Sequence, residues 1–203
     1  MTIFKYDTSS CRTVKGMLDY ALDREKADPR SIHYFNVVRD PYNEFMFTNI
    51  MFREFNPPNR EYYQFIISLS KDDVAPDTFE RFDKAVWTIA DILSRWCDMG
   101  ASKFHVVSVI HTDKAPEYDA HIIVNSVSFT DGHMFPWDKR LTWLLRNLAN
   151  RILIYFGFTP IPDKRLNELS RIPSIDYASV SPYYRNQLAP SGKVSPAHSP
   201  GVR

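Results

Sequence analysis

The sequence predicts an α+β domain, with an antiparallel central β-sheet and helices mainly on one face. Three observations predict it. Apolar residues recur at helical spacing in several segments, while other segments are short and β-rich. Two of the β-rich segments follow each other across a short polar turn, the mark of an antiparallel hairpin rather than a βαβ unit. The length of 203 residues, 44% of them hydrophobic, suffices for the core of one such domain but not of two full-sized ones.

Taken in order, residues 2 to 6 (TIFKY) read as a short strand. After the possible cap Ser9-Ser10, Val14, Met17, Leu18, Ala21 and Leu22 repeat at helical spacing, and the helix should end near Lys26 because Asp28-Pro29 breaks it. Residues 43 to 55 read as a second helix, stopped by Asn56-Pro57-Pro58-Asn59. Glu61 to Ser70 is a buried strand. Pro76 opens a third helix with a stripe of Phe79, Phe82, Val86, Ile89, Ala90 and Leu93, expected to run to Met99-Gly100. Lys103 to Ile110 and Tyr118 to Phe129 are two strands, and Asp131-Gly132 marks a further tight turn toward Met134 and Phe135. Asp138 to Phe156 is a long helix closed by Gly157. The expected order is β-α-α-β-α-β-β-(β)-α. A domain over 1–158 should be followed by a proline-rich basic extension over 159–203, flexible from about Ser181, since seven of the fourteen prolines fall there.

Bulk properties exclude several classes. No run of about 18 apolar residues offers a membrane span, and the N-terminus has no apolar stretch long enough for a signal peptide. Cys11 and Cys97 are the only cysteines, too few for a disulfide framework or zinc finger, so the expected setting is reducing cytoplasm. The net charge is only +1, but it is unevenly spread. Residues 139 to 203 hold 10 Lys/Arg against 3 Asp/Glu, leaving 15 basic and 21 acidic side chains in the rest. An acidic body suits a metal site and a basic third suits phosphate contacts, although ordinary solvated charge gives the same pattern.

The chemistry-bearing stretch runs from His111 to Asn125 (HTDKAPEYDAHIIVN). Folded as a hairpin closed by Thr112 to Glu117, it places His111 opposite Asp119 and Val109 opposite His121. Asp119 and His121, two apart, share a sheet face with His111. Two imidazoles and a carboxylate on one face suit a divalent cation, Mn²⁺ or Mg²⁺ by preference, with zinc also admissible by donor type. The plain alternative is that the histidines only hydrogen-bond within the hairpin. Against it, these polar residues interrupt an apolar strand, where burial demands a partner.

The same stretch resembles the third motif of relaxases of the mobilisation type, within the HUH class of endonucleases. That motif has one histidine, a His-hydrophobic-His pair seven residues on, then a hydrophobic run and an asparagine. His111 and His121 match its first and last histidines, and Asp119 stands where the middle one is expected. Asp113 matches the family's His-x-Asp, either supporting a ligand or the nucleophile or serving as a turn residue. RTVKGMLDYALDREK resembles the first motif, which carries a tyrosine followed by a Glu-Lys pair. The likeness covers about residues 1 to 157.

The resemblance implies a metal-dependent single-strand DNA endonuclease that nicks at a transfer origin through a 5′-phosphotyrosine. It makes Tyr20 the nucleophile and His111, Asp119 and His121 the metal ligands. Lys26, Arg140, Arg146, Arg151, Lys164 and Arg165 become candidate DNA contacts. It also implies accessory DNA-binding proteins and a coupling ATPase as partners, in a bacterial cytoplasm. Three alternatives stay open: a rolling-circle initiator or transposase on the same site, a non-catalytic DNA-binding relaxase homologue, and a small metal-dependent hydrolase.

Overall fold

The structure is a computed structural model that describes residues 3–7, 13–52, 60–95, 103–136 and 139–161. Its elements are β1 (Ile3–Asp7), α1 (Val14–Ala21), β2 (His33–Phe35), α2 (Pro41–Met51), β3 (Tyr62–Ser68), α3 (Thr78–Ser94), β4 (Val106–His111), β5 (Asp119–Asn125) and α4 (Lys139–Tyr155). Five strands form one sheet in the order β1-β3-β5-β4-β2, and every neighbouring pair is antiparallel. The α+β class and the antiparallel sheet therefore agree with the sequence.

Register decides which side chains meet. Val107, Val109 and His111 of β4 share a face with Asp119, His121 and Ile123 of β5, because Val109 pairs with His121 and His111 with Asp119. The expected hairpin register is the observed one. On this face Val14, Met17, Leu18 and Ala21 of α1 and Phe45 of α2 form a buried cluster with Val107, Val109 and Ile123. Each large side chain buried there contributes about 1.5–3 kcal/mol, so α1 is firmly anchored to the middle of the sheet.

The opposite face carries the longer helices. Phe35 and His33 of β2 pair with Val106 and Ser108. From that side Phe35 meets Trp87 of α3 at 5.6 Å between ring centroids, and His33 Nε2 lies 2.8 Å from Asp83 of α3. α4 packs against α3 and β1. Helices of 17 residues each thus cover this face, and the 8- and 11-residue helices cover the other.

Several boundaries differ from expectation for identifiable reasons. The N-cap of α1 is Thr13, whose hydroxyl accepts from Gly16 N–H; the Ser9-Ser10 pair lies outside the described residues. α1 stops at Ala21 rather than near Lys26 because β4 claims the next backbone. Thr112 N–H donates to Lys26 O at 2.8 Å, Asp28 N–H donates to Ile110 O at 3.0 Å, and Ala27 bridges to His111. α2 begins earlier than expected, with Asp40 capping Asn43 N–H and Pro41 at the first turn. β2 was not foreseen; it has only three residues at the sheet edge. α3 ends at Ser94 with Arg95 as C-cap, and Met99-Gly100 lies outside the described residues.

The Asp131-Gly132 turn forms as expected, with Val127 bridging Met134. Gly132 has φ +72°, and an added Cβ would sit 2.8 Å from Phe52 Cγ, inside the ring's contact surface. Gly132→Ala is therefore expected to destabilise the domain by at least about 2 kcal/mol, combining backbone strain with overpacking. A urea midpoint equal to wild type would refute that reading. Gly157 (φ +82°) ends α4, with Phe158 N–H donating to Leu153 O. Beyond it, Thr159 bonds Asp73 and Ile161 N–H bonds Asn150, so these residues stay docked on the domain. Residues 162–203, with the rest of the expected extension, lie outside the described residues.

Candidate metal and nucleophile site

The site lies where the end of α1 meets the ends of β4 and the start of β5. His111, the last residue of β4, and His121, the third of β5, are each only 4% exposed. Their ring centroids are 4.3 Å apart. Tyr20, one residue before the end of α1, lies edge-on to both, at 5.4 Å from His111 and 5.5 Å from His121. It remains 43% exposed, so its ring is held by the histidines while solvent reaches it. Among the described residues its hydroxyl has no hydrogen-bond partner.

Hydrogen bonds orient both imidazoles. His111 Nε2 lies 2.9 Å from the Ala21 carbonyl, which only accepts. Nε2 therefore carries the proton, and in the neutral ring Nδ1 keeps the lone pair. His121 Nδ1 lies 2.8 Å from the side-chain amide nitrogen of Gln64 on β3. His105, two pleats further along the same face of the sheet, is different. Both of its nitrogens are committed, Nε2 to Thr48 at 3.1 Å and Nδ1 to the Asn36 carbonyl at 2.6 Å, and it stacks on Phe129. Burial, the largest influence, pushes the His105 imidazole below its ordinary 6.5 against the opposing Asn36 carbonyl and Glu44 carboxylate, and its two bonds make it a structural histidine.

The remaining sequence-derived residues are placed as follows. Asp119 stands across from His111 and beside His121 on the same face, half-buried. Even so, no group of three His, Cys, Asp or Glu side chains close enough to hold a metal occurs among the described residues. Asp113 is exposed in the turn 112–118, and among the described residues it bonds no site residue. Lys26 does reach the site: its ammonium lies 4.6 Å from the Tyr20 ring centroid and 3.3 Å from Asp23. The Asp23 carboxyl sits below the usual range, chiefly because Glu25 N–H donates to it and then because of Lys26.

Arg146 and Arg151 belong to α4, across the sheet from the histidine pair, and are not brought to the site. Arg140 is on α4, but its side chain lies outside the described residues, as do Lys164 and Arg165. Two site residues escaped the sequence reading. Lys5 of β1 is exposed and shares a register row with Ile66 and His121, hence a face with the site. Gln64 is 3% exposed within an otherwise apolar strand. That isolation in EYYQFIIS was a usable signal, since a buried amide needs a partner; Lys5 had none before the β1–β3 pairing was known.

Comparison with known proteins bears on the fold and on the family. The fold resembles that of the MobM relaxase domain (MOBV; Mob_Pre) in crystal structures bound to plasmid pMV158 oriT DNA and Mn. For the structure at pH 4.6 the TM-score is 0.52 at 12% identity, covering 89% of this chain and 99% of that one. For the structure with a 3′-thiophosphate at pH 6.8 the TM-score is 0.52 at 12% identity, covering 88% and 98%. At such identity the likeness speaks for the fold alone. A search of curated proteins by sequence finds no match. The family profile described as relaxase, MobA/VirD2-like, nuclease domain matches residues 20–158, from the exposed tyrosine to the end of α4 and through both histidines. The chain belongs to the relaxase family, as a MobA/VirD2-like nuclease domain.

Proposed function

We propose that the chain nicks single-stranded DNA at a transfer origin through Tyr20, with a divalent cation held by His111 and His121 and completed by Asp119. The observation that carries this reading is the exposed Tyr20 ring set edge-on against two buried histidines. Family membership supplies the reaction class, and the MobM structures show Mn and transfer-origin DNA together in a relaxase of the same fold.

The donor set fits such a cation in kind. His111 is fixed by the Ala21 carbonyl so that Nδ1 bears the lone pair, and one carboxylate lies directly across the hairpin. Two imidazoles and a carboxylate match Mn²⁺ or Mg²⁺, with zinc admissible. When bound, the cation supplies Lewis-acid stabilisation to the oxygens of the scissile phosphate.

The chain's own residues do the rest. α1, pinned by Met17 and Leu18, presents the Tyr20 hydroxyl at the surface. Its oxygen forms the new bond to phosphorus as the bond to the 3′ oxygen breaks. The phenolic proton is lost and one is taken up by the leaving oxygen, giving a 5′-phosphotyrosine and a free 3′-hydroxyl. Lys26 beside the tyrosine ring and Lys5 on the same sheet face attract flanking phosphates. Their grip weakens as salt rises.

A second reading, DNA binding without catalysis, draws on the lack of a three-group ligand cluster among the described residues. Incubation with end-labelled single-stranded transfer-origin oligonucleotides and Mn²⁺ separates the two. The expected result is a denaturation-resistant protein–DNA adduct linked through tyrosine. Binding of the oligonucleotides without any adduct favours the second reading.

A further inference from the structure

The Lys26 ammonium lies over the Tyr20 ring, 4.6 Å from its centroid, although it belongs to a residue six positions further along the chain. A lysine side chain left to itself spreads over many rotamers. Asp23 supplies the restraint. Its Oδ2 lies 3.3 Å from Lys26 Nζ, and its Oδ1 accepts from Glu25 N–H at 3.0 Å, which fixes the carboxylate on its own turn. The Asp23 carbonyl accepts from Lys26 N–H at 3.0 Å and from Ala27 N–H at 2.8 Å, and the Lys26 carbonyl accepts from Thr112 N–H at 2.8 Å. Both partners thus start from backbone already tied to β4, so closing the ion pair takes little further freedom. A partly exposed pair of this kind adds almost nothing to stability. What it sets is the place where a positive charge sits.

We infer that Asp23 is a positioning residue for nicking: it holds the Lys26 ammonium over the Tyr20 ring, where that charge meets an oxygen of the phosphate under attack. This rests on the proposed role of Tyr20 as the attacking group. As phosphorus takes on a fifth oxygen, negative charge gathers on its non-bridging oxygens, and a cation already in place stabilises it better than one recruited from solvent. The Asp23 carboxylate repels the DNA strand while it aims the lysine. Removing it should therefore move affinity and rate in opposite directions. Loss of fold lowers both, and plain removal of a negative charge raises affinity without slowing the reaction.

The test compares Asp23→Asn, Asp19→Asn and Lys26→Met in single-turnover nicking of a labelled transfer-origin oligonucleotide with saturating Mn²⁺, with affinity read by fluorescence anisotropy. Asparagine keeps an acceptor for Glu25 N–H and loses the charge. Asp19→Asn removes the same charge one residue before Tyr20, from an exposed pair with Lys15. Asp23→Asn is expected to nick about tenfold more slowly while binding as tightly as wild type or tighter. Asp19→Asn should keep the wild-type rate. Adding Asp23→Asn to Lys26→Met should slow it no further, because Asp23 acts only through the lysine. A wild-type rate in Asp23→Asn, a slowing accompanied by weaker binding, or an equal slowing in the Lys26→Met background overturns the inference. The ring-current shift of the Lys26 ε-methylene protons, assigned against Tyr20→Leu, gives a readout free of nicking and should vanish in Asp23→Asn. If wild type forms no adduct, the nicking reading falls while a shift that depends on Asp23 keeps the positioning role; a shift unchanged in Asp23→Asn overturns it.

Discussion

Replacing Tyr20 with phenylalanine is expected to abolish the covalent adduct and lower nicking by at least about a thousandfold, as loss of a nucleophile does elsewhere. The substitution removes only the hydroxyl. The ring contacts with His111 and His121 and the Lys26 ammonium over the ring remain available. Because Tyr20 is 43% exposed, stability should change by less than about 0.5 kcal/mol. Oligonucleotide affinity should also hold, since phosphate attraction comes from lysines rather than from the phenol. Gel-resolved adduct, strand cleavage and fluorescence anisotropy on the same preparation check all three. An adduct that persists in Tyr20→Phe would show that another residue attacks phosphorus.

The second large effect is expected from the histidine pair. In His121→Ala, Mn²⁺ affinity should fall below detection and nicking should drop by about a hundredfold or more, since a Lewis acid at the phosphate is worth several kcal/mol of barrier. Chelation of wild type should reproduce the loss and added Mn²⁺ should reverse it, without any change in fold. His111→Ala is a less clean probe: it also removes the bond to the Ala21 carbonyl and should cost about 1 kcal/mol of stability besides. Asp119→Ala asks a sharper question. The aspartate faces His111 across the hairpin but joins no three-group cluster among the described residues. Weakened Mn²⁺ binding in that variant would establish it as the third ligand. Unchanged binding would leave the cation to the histidines and the DNA.

What was legible in the sequence follows from the range of the forces involved. The register of the β4–β5 hairpin was readable to the residue, though its strand ends were not, because strand alternation and a short polar turn are local signals and a slip of one position would bury the wrong face. Tyr20 was placed only by resemblance, and the structure then put it against the two histidines. The end of α1 was misjudged because hydrogen bonds from β4, more than eighty residues away in the chain, take the backbone at Lys26 and Asp28. β2 has too few residues to show alternation. The basic helix α4 offered candidate DNA contacts on charge, and its packing against α3 puts it on the other side of the sheet from the histidine pair. Gln64 stood out locally as a lone amide in an apolar strand, whereas Lys5 owes its place to a β1–β3 pairing that no local pattern announces.

The Ala21 carbonyl that accepts from His111 belongs to the residue next to Tyr20, and six residues on the same chain is laced to β4 through Lys26 and Ala27. The Tyr20 ring and the His111 imidazole are thereby coupled through a single short length of backbone. Any shift of the helix against the sheet is therefore expected to carry phenol and ring together. In the proposed reaction, a strand end released after cleavage would then find the joining geometry still assembled.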